Sequence, residues 1–594
     1  MSVPEWSGGP AGRRSTAGRN APLIFWIVAV VCALSRFAAR ARSIWDWDEA
    51  LFSLGMREYD VTNHHPHPPG FPVFIGMAKL VRLVADSDFR ALQTISLIAG
   101  VFAFPAVFFL ARELKFRFET SVVAGAVFAF FPNVLFFGGT AFSDVPSIVL
   151  VVWAAVFLLR GRESRNAYWL GTFLLALAIG MRPQNLLVGL LPGALATLRR
   201  RPVEVLVAVL IGIVVTGLAF GGAVYATGDL SAYVSTVRAH GDYIARIDSF
   251  RSPDRPPLWR LFLHFFTKQY QSGAMSIVAT LFVIVSLAGA ARTRDRPVLL
   301  TLLMFAPFAI FAWLILDRFS ITRFSIGYQP MFALLVADGI SRTVRQARVA
   351  EFVLGGAVVT AFAAWTLPAL GPVRRHISPP VQAVDTVRQQ FVPGRDTLFI
   401  GYSMTPFVEY DAPELSFIRV KDDRALPLTP VDRSFLLAEV TDRAPEGFLF
   451  QRRRGNLWNI ARRHYFEVVF QPVTRTADFV SGWRAPYREG MDEFRWMGAR
   501  SETHLPPASG DTVLRLQFDI PADLVETHPR VTIALNGKVV DQLQMTTDVA
   551  YPDYHVVPAP AGATNVLELS IDQTVLEEGE NRGLRLRFLS WGAR

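Results

Sequence analysis

Three acidic residues stand within four positions after the first long apolar segment of the chain. They are Asp46, Asp48 and Glu49, and a fourth, Asp144, follows the third apolar segment. Carboxylates beside apolar segments are costly to desolvate, so we expect them to be paired, hydrated or bound to a ligand. Carboxylates that two loops bring to one surface can take a proton from a hydroxyl group. Asp48, Glu49 and Asp144 are therefore the candidate catalytic residues.

Basic side chains occur in the same set of segments. Arg182 lies between two unusually short apolar stretches, and interrupted helices often mark a binding site at membrane depth. Arg323 follows an outer turn, where loops of membrane proteins usually carry few cations. A bound anion such as a phosphate would account for both arginines.

Further polar residues are candidates for contact with a second substrate or with lipid headgroups. The loop 227–272 mixes aromatic and basic side chains, a composition that suits a phosphate headgroup or the face of a sugar. The candidates are Asp46, His64, His65, Asp242, Tyr243 and Lys268. The three histidines, His64, His65 and His67, lie in an extended, proline-rich stretch that fits a metal site poorly, so we predict no metal ligands.

Each of these features has a simpler alternative interpretation. The acidic run 46–49 can cap the next helix or solvate a loop, and Asp144 can be a helix N-cap. Arg182 can extend its charged group toward water from an apolar helix, and part of the loop 227–272 can be a solvated face. The joint pattern favours a site more strongly than any member does.

The elements that must position these residues are membrane helices. Of the 594 residues, 51% are hydrophobic and 19% are charged, and a helix of about 20 apolar residues crosses a bilayer. One cysteine, Cys32, excludes disulfide scaffolds and zinc fingers. We predict eleven spans, at 22–40, 90–111, 120–138, 146–160, 167–181, 184–198, 203–226, 273–291, 297–316, 323–341 and 350–369.

The distribution of Lys and Arg predicts the orientation of these spans. Basic clusters lie near 13–19, 112–117, 160–165, 199–201, 292–296 and 342–348, which are all cytoplasmic loops if the N-terminus is inside. This alternation requires that 70–84 is an interfacial helix, and that the first helix is not a cleaved signal peptide. The net charge of +10 thus comes mostly from basic residues in loops that are predicted to be cytoplasmic. It does not imply a nucleic-acid partner.

The pattern changes after residue 370, where long apolar runs end. Residues 371–475 combine a helix at 381–391 with short strands, which predicts an extracytoplasmic α/β domain. Residues 476–594 alternate apolar and polar positions and carry an Asn536–Gly537 hairpin turn, which predicts a carbohydrate-binding-like β-sandwich. The chain is thus divided into a tail (1–21), a transmembrane module (22–370) and these two domains.

Three aromatic residues of the predicted sandwich are candidates for stacking on sugar rings. They are Trp483, Tyr487 and Trp496, and at least one of them is expected to be buried in the core instead.

Several short motifs occur in a fixed topological order. Asp48 and Glu49 follow the first helix, His67 precedes two prolines, Asp144 follows the third helix, and Arg323 begins a segment that leads to Pro330. In these residues the region 22–341 resembles the GT-C superfamily of polytopic glycosyltransferases. It is most similar to bacterial members related to protein O-mannosyltransferases and aminoarabinose transferases. Phe324 stands where relatives often have tyrosine.

The resemblance implies a fold, a reaction and roles for individual residues. The fold is mainly α, a polytopic GT-C module of about 11 helices followed by an α/β segment and a jelly-roll-like β-sandwich. Asp48 is the implied catalytic base, and His67, Arg182 and Arg323 approach the phosphate of the donor. The implied donor is a polyprenyl-phosphate sugar, and the acceptor is a glycan, lipid or protein. The resemblance establishes no cofactor, and it leaves a divalent cation as an open alternative because some distant relatives use one.

The expected reaction is an inverting transfer at the outer face of a bacterial inner membrane. A transporter or flippase of lipid-linked sugars is the main alternative, because eleven spans also suit it. That alternative predicts an internal repeat and polar residues near the bilayer midplane, whereas here the charges gather at one face. A receptor that only anchors a glycan-binding sandwich would need one helix.

Overall fold

The computed structural model describes residues 17–247, 249–252, 255–315, 322–429, 433–440, 447–452, 467–577 and 579–593. Residues 1–16, which make up most of the predicted cytoplasmic tail, and residues 316–321, which include most of the predicted outer turn 317–322, lie outside these ranges. The described residues form two compact units, one that ends at residue 377 and one that begins at residue 378.

The described part of the first unit is helical. Its helices are α1 (Ala17–Ala39), α2 (Trp47–Arg57), α3 (Pro72–Arg82), α4 (Asp88–Glu113), α5 (Phe118–Phe130), α6 (Pro132–Phe137), α7 (Asp144–Arg160), α8 (Arg165–Met181), α9 (Leu186–Thr197), α10 (Pro202–Thr227), α11 (Leu230–Ile247), α12 (Leu258–Phe266), α13 (Gly273–Thr293), α14 (Arg296–Ile315), α15 (Gln329–Thr343), α16 (Arg348–Ala369) and α17 (Gly371–Arg375). Three short 3₁₀ helices, Pro183–Asn185, Lys268–Tyr270 and Thr322–Tyr328, interrupt this series.

Each of the eleven predicted spans contains a helix. Six described helices are long and apolar enough to cross a membrane by length and composition, namely α1, α4, α10, α13, α14 and α16. The other five predicted spans correspond to shorter helices of 12 to 17 residues, α5, α7, α8, α9 and α15. At about 1.5 Å per residue, the shorter helices fall below the roughly 30 Å of the hydrocarbon core.

The short helices end at the predicted site residues. Asp144 is the first residue of α7, and Arg182 follows the last residue of α8. Arg323 lies in the 3₁₀ helix that leads into α15. The tenth apolar segment thus becomes an α-helix only at Gln329, and the predicted span 120–138 is broken between α5 and α6 at Phe131, ahead of Pro132. A proline cannot donate its backbone hydrogen bond, which explains the break.

Four further helices lie between the predicted spans. The segment 41–89 holds α2 and α3, and the predicted loop 227–272 holds α11 and α12. The helix α3 lies within the helix predicted at 70–84, and its interfacial position stays a prediction. The helices α2, α11 and α12 are amphipathic or polar, so a search for long apolar runs does not find them.

The second unit is mostly β-sheet. Its helices are α18 (Pro379–Gln390), α19 (Thr405–Asp411) and α20 (Ala522–Val525), with a 3₁₀ helix at Tyr402–Met404. Its strands are β1 (Thr397–Gly401), β2 (Ile418–Val420), β3 (Ser434–Glu439), β4 (Phe448–Gln451), β5 (Glu467–Pro472), β6 (Asp478–Trp483), β7 (Tyr487–Glu489), β8 (Asp492–Leu505), β9 (Thr512–Asp519), β10 (Arg530–Leu535), β11 (Lys538–Gln544), β12 (Val549–Ala550), β13 (Asp553–Val556), β14 (Asn565–Ile571), β15 (Val575–Glu577), β16 (Glu580–Arg582) and β17 (Leu584–Ala593).

The strands form two main sheets that match the predicted change of pattern. A five-stranded sheet has the order β2-β1-β3-β5-β4, in which β1 is parallel to both β2 and β3. A ten-stranded sheet has the central order β11-β10-β14-β8-β17-β9-β12. The alternating residues Leu514, Leu516 and Phe518 are all buried in the core of this second sheet. The division between the two predicted domains at 475/476 stays a prediction.

The hairpin between β10 and β11 turns at Asn536 and Gly537, as the sequence predicts. Both residues have positive φ, 54° and 73°, which is the conformation of a type I′ turn. Glycine adopts it most easily, because it has no Cβ atom to clash with the backbone. Asparagine tolerates it because its short polar side chain can hydrogen-bond locally.

We therefore expect Gly537→Ala to lower the free energy of unfolding by about 1 kcal/mol, through backbone strain alone. No heavy atom lies within 4 Å of the position that its Cβ would take. Gly498→Ala is the matched control, because the nearest atom to its new Cβ is at 3.7 Å and its φ is not positive. Thermal unfolding followed by the β-sheet circular dichroism signal compares the two variants. Equal stability of both would contradict the assignment of the turn.

Candidate active site

Four charged residues from separate segments form two ion pairs in the first unit. Arg323 Nη2 donates to Asp48 Oδ2 at 2.6 Å, and Arg182 Nη2 donates to Asp144 Oδ2 at 2.8 Å. Arg323 Nε lies 3.8 Å from the same Asp144 oxygen and thus connects the pairs. Asp144, Arg182 and Arg323 are buried, and Asp48 is mostly so. The formal charge of the four groups is zero.

Aromatic rings hold the two guanidinium groups. The Arg323 guanidinium lies 4.7 Å from the centre of the Phe142 ring and 5.3 Å from that of Phe324, and Arg182 lies 5.3 Å from the centre of Phe71. Burial on its own lowers the pKa of Arg323, but the charges of Asp48 and Asp144 raise it above its ordinary value. Arg323 is therefore protonated at neutral pH, and its guanidinium group packs against two aromatic rings.

A buried amide cluster supports the 3₁₀ helix that carries Arg323. Asn133 Nδ2 and Gln329 Nε2 both donate to Ser325 Oγ, at 3.1 and 2.8 Å. Gln271 Nε2 donates to Asn133 Oδ1 at 3.3 Å. These hydrogen bonds connect α6, the end of the segment before α13, and the start of α15. Asn133, Gln271 and Gln329 have no obvious sequence signal, because they lie among apolar residues of different segments.

Glu49 joins the loop that carries Asp144 to the helix that carries Asp48. Its Oε1 accepts the Ala141 N–H at 2.8 Å, and its Oε2 accepts the N–H groups of Trp45 and Asp46 at 2.8 and 3.1 Å. The side chain is fully buried, and burial raises the pKa of the carboxyl to about 8, against the opposing effect of these backbone donors.

Asp46 is the N-cap of α2 and forms a capping box with Glu49. The alternative interpretation of the acidic run as a helix cap therefore describes Asp46 and Glu49. It does not describe Asp48, whose carboxylate pairs with Arg323.

His67 lies next to the charged cluster as a neutral imidazole. Burial, with smaller effects of His240, Arg323 and Arg182, lowers its pKa to about 4, although Asp48 acts in the opposite direction. Its Nδ1 is buried and has no hydrogen-bond partner within the described residues. The ring centre is 6.4 Å from that of His240, which is in turn 6.1 Å from that of His64. His67 thus adds no positive charge at neutral pH.

The remaining polar candidates of the first unit are either partly buried or exposed on its surface. The His65 backbone pairs with Asp60. Tyr243 is exposed on α11, with its ring stacked 6.4 Å from His240. Asp242 and Lys268 are exposed. Across the described residues, no group of three or more His, Cys, Asp and Glu side chains is placed to hold a metal ion.

The aromatic candidates of the second unit are engaged with other side chains. Trp483 donates from Nε1 to Thr503 Oγ1 at 2.9 Å and packs against the core of the large sheet. Tyr487 accepts a hydrogen bond from Arg585 at 3.2 Å. The Trp496 ring lies 5.4 Å from the guanidinium groups of both Arg582 and Arg585. Sugar stacking at these residues stays a prediction.

A cleft with an empty volume of about 290 Å³ opens beside the ion pairs. Its walls contain Asp144, Arg182 and Arg323, together with Ser147, Gln184, Asn185, Phe308, Phe324, Ile326 and Gly327. The cleft therefore offers an anionic group two guanidinium ions and several neutral hydrogen-bonding side chains.

Some contributors to the site were not predicted from the sequence. Ser143 Oγ accepts from Arg182 Nε at 3.0 Å, and Phe142 and Phe71 pack against the guanidinium groups. Ser143 and Phe142 directly precede Asp144 in the sequence. This proximity to a candidate residue could have identified them as members of the site. His240 was visible only as one member of a mixed loop.

Comparisons with known proteins find a partial family match and similar solved structures. Residues 64–224 match the family model described as dolichyl-phosphate-mannose-protein mannosyltransferase. The structure of ArnT from Cupriavidus metallidurans bound to undecaprenyl phosphate aligns with a TM-score of 0.50 and 11% identity, over 77% of this chain and 99% of that one. The apo structure of the same ArnT aligns with a TM-score of 0.46 and 12% identity, over 77% and 98% of the two chains.

The oligosaccharyltransferase of Archaeoglobus fulgidus, in complex with Zn and sulfate, aligns with a TM-score of 0.42 and 11% identity, over 96% of this chain and 97% of that one. No curated protein sequence matches this chain. The fold is that of the GT-C superfamily, as the sequence motifs predict. The family match and the fold together indicate a multi-pass membrane glycosyltransferase.

The buried pair of Arg182 and Asp144 gives a test of the site's electrostatics. We expect Arg182→Gln to lower the free energy of unfolding by about 3 kcal/mol, because it leaves a buried carboxylate with only the more distant Arg323 as a counter-ion. Arg57→Gln is the matched control, since Arg57 is exposed and its 3.3 Å pair with Asp88 should contribute less than about 1 kcal/mol. Thermal unfolding in detergent compares both variants. A larger loss for Arg57→Gln would contradict a buried ion pair.

Proposed function

We propose that this protein is an inverting glycosyltransferase that moves a sugar from a polyprenyl-phosphate donor to an extracytoplasmic acceptor. The acceptor is a glycan, lipid or protein hydroxyl. Asp48 is the general base, and Arg182 and Arg323 bind the donor phosphate. The observation that carries the proposal is the direct contact of Asp48 with Arg323, at 2.6 Å, beside a cleft that also contains Arg182. One bound molecule can therefore be near both a proton acceptor and two cations.

The reaction is a single displacement at the anomeric carbon of the sugar. The acceptor oxygen forms a bond to this carbon while the bond from the carbon to the phosphate oxygen breaks, and the electron pair of that bond stays on the phosphate. Asp48 takes the acceptor proton, and the leaving group is polyprenyl phosphate. Attack from the face opposite the leaving group inverts the anomeric configuration.

The cations lower the barrier where negative charge develops. Cleavage adds one negative charge to the phosphate, and Arg182 and Arg323 oppose this charge in a partly dry site, where electrostatic interactions are strong. Asp144 keeps Arg182 in place, and Glu49 holds together the two backbone segments that carry Asp48 and Asp144. His67, as a neutral imidazole, contributes a hydrogen bond to the donor rather than a charge.

The relatives support the choice of donor. The family description names a dolichyl-phosphate mannose, and the ArnT structure contains undecaprenyl phosphate. The first is a sugar linked to a polyprenyl phosphate, and the second is a polyprenyl phosphate without a sugar. The proposal extends this donor chemistry to the present chain.

Asp48→Asn should reduce sugar transfer by about 10²- to 10⁴-fold, because an amide cannot accept the acceptor proton. The measurement is transfer of labelled sugar from a polyprenyl-phosphate donor to an acceptor in reconstituted membranes. Asp86→Asn removes an exposed carboxylate that lies in the turn before α4, and it should leave transfer unchanged. Retention of more than about a tenth of the activity in Asp48→Asn would rule out Asp48 as the base.

We further propose that the site faces the extracytoplasmic side of a bacterial inner membrane. The basic clusters of the short loops support this orientation, since cytoplasmic loops carry an excess of Lys and Arg. In this orientation the N-terminus is cytoplasmic, and the segments from α2 to α3 and from α11 to α12 are outside together with the second unit.

Labelling of single cysteines tests the orientation. In a Cys32→Ala background, which lacks all cysteines, Thr62→Cys should react with a membrane-impermeant maleimide in spheroplasts, and Arg292→Cys should react only after the membrane is opened. Both residues are exposed, so a difference between them reports the side of the membrane and not burial. Labelling of Arg292→Cys in intact spheroplasts would contradict the proposed orientation.

A further inference from the structure

The four charges of the site are already neutralised by each other. Each arginine donates to a carboxylate at 2.6 or 2.8 Å, and the two carboxylates and two guanidinium groups sum to zero. A phosphate that enters the cleft therefore meets cations whose best donor atoms are in use. It gains full contact with a guanidinium group only if one of the existing ion pairs opens.

Arg323 is the arginine placed to change partner. Its Nη2 is bound to Asp48, whereas its Nε is buried without a hydrogen-bond partner in the described part of the chain. Arg182, by contrast, donates from Nε to Ser143 and from Nη2 to Asp144, so both of these nitrogens are bound to adjacent residues at the start of α7. Asp48 is also the more exposed carboxylate of the two, with 18% of its side chain accessible against 4% for Asp144.

We propose that Asp48 and the donor phosphate compete for Arg323, so that phosphate binding draws Arg323 away from Asp48 and releases this carboxylate to act as the base. The inference rests on the proposed function and adds a regulation of its site. Without a donor the base is held in an ion pair. With a donor bound, the guanidinium group that blocked it stabilises the leaving group.

The movement of charge in the reaction favours this exchange. The donor is a phosphodiester with one negative charge, and cleavage gives a phosphate monoester with one more. Over the same step the Asp48 carboxylate takes the acceptor proton and loses its charge. Negative charge therefore disappears at Asp48 and appears at the phosphate, so Arg323, already moved to the phosphate by donor binding, lies where the new charge develops.

The exchange predicts that removal of the Asp48 charge strengthens binding of the phosphate. Asp48→Asn imitates the protonated carboxyl in size and charge. It should bind undecaprenyl phosphate about tenfold more tightly than the wild-type protein, because the phosphate no longer competes with a carboxylate for Arg323. The measurement is direct binding of undecaprenyl phosphate to the full-length protein in nanodiscs of zwitterionic lipid.

Two further variants connect the gain to Arg323. Arg323→Ala should weaken binding, and Asp48→Asn should give no gain in the Arg323→Ala background. Asp86→Asn removes an exposed negative charge from the same unit and should leave the affinity unchanged. Undecaprenol, which has the same tail without the phosphate, should bind equally to the wild-type protein and to Asp48→Asn. Asp48→Ser provides a second variant if Asp48→Asn does not fold.

The outcomes separate this inference from the proposed function. Unchanged or weaker binding in Asp48→Asn, with clear binding to the wild-type protein, would overturn the competition but leave the donor class standing. A gain that persists in the Arg323→Ala background would also overturn it, since the effect would then be a general loss of negative potential. No binding of undecaprenyl phosphate to the wild-type protein would overturn the proposed donor.

Discussion

The contacts of Asp48 with Arg323 and of Asp144 with Arg182 are the constraint on which the site depends. An isolated charge is costly to bury, and a buried pair is tolerable only with good geometry and further hydrogen bonds. The chain meets this condition by ending short helices where the charges lie: α7 begins at Asp144, α8 ends before Arg182, and α15 begins after Arg323. The interrupted helices and the ion pairs are thus parts of a single solution. If these helices continued without interruption, the charged side chains would lie at other positions and could not form the pairs.

The pairs could not form unless the backbone segments that carry them were held in register. Glu49 supplies this link through N–H groups on both sides, from Trp45 and Asp46 in its own segment and from Ala141 in the other. The amide cluster around Ser325 does the same for the 3₁₀ helix of Arg323. Glu49, Ser325 and their amide partners are buried. Loss of one of them therefore leaves its partners without a hydrogen bond, and this cost holds the loops in place.

Local signals in the sequence singled out the four charged residues that the structure brings together. Asp48, Asp144, Arg182 and Arg323 are charged residues at the ends of apolar stretches, and such residues are rare enough to be conspicuous. These signals could not provide the pairing, because which arginine meets which carboxylate depends on packing between α7, α8 and the 3₁₀ helix. Asn133 and Gln271, 138 positions apart, meet only in the folded chain. The helices α11 and α12 were missed because their apolar residues lie on one face, and the hairpin at Asn536 and Gly537 was found because its turn is specified by two adjacent residues.

Electrical neutrality also bears on how the proposed reaction ends. A site with an unpaired excess of arginine would hold the doubly charged product, polyprenyl phosphate, more tightly than the donor, and release would become slow. Here Asp48 returns to its charged form once its proton passes to water, and it then competes again for Arg323. The pair that must open for the donor to bind therefore closes as the product leaves, and the same ionic contact that restrains the base before the reaction favours turnover after it.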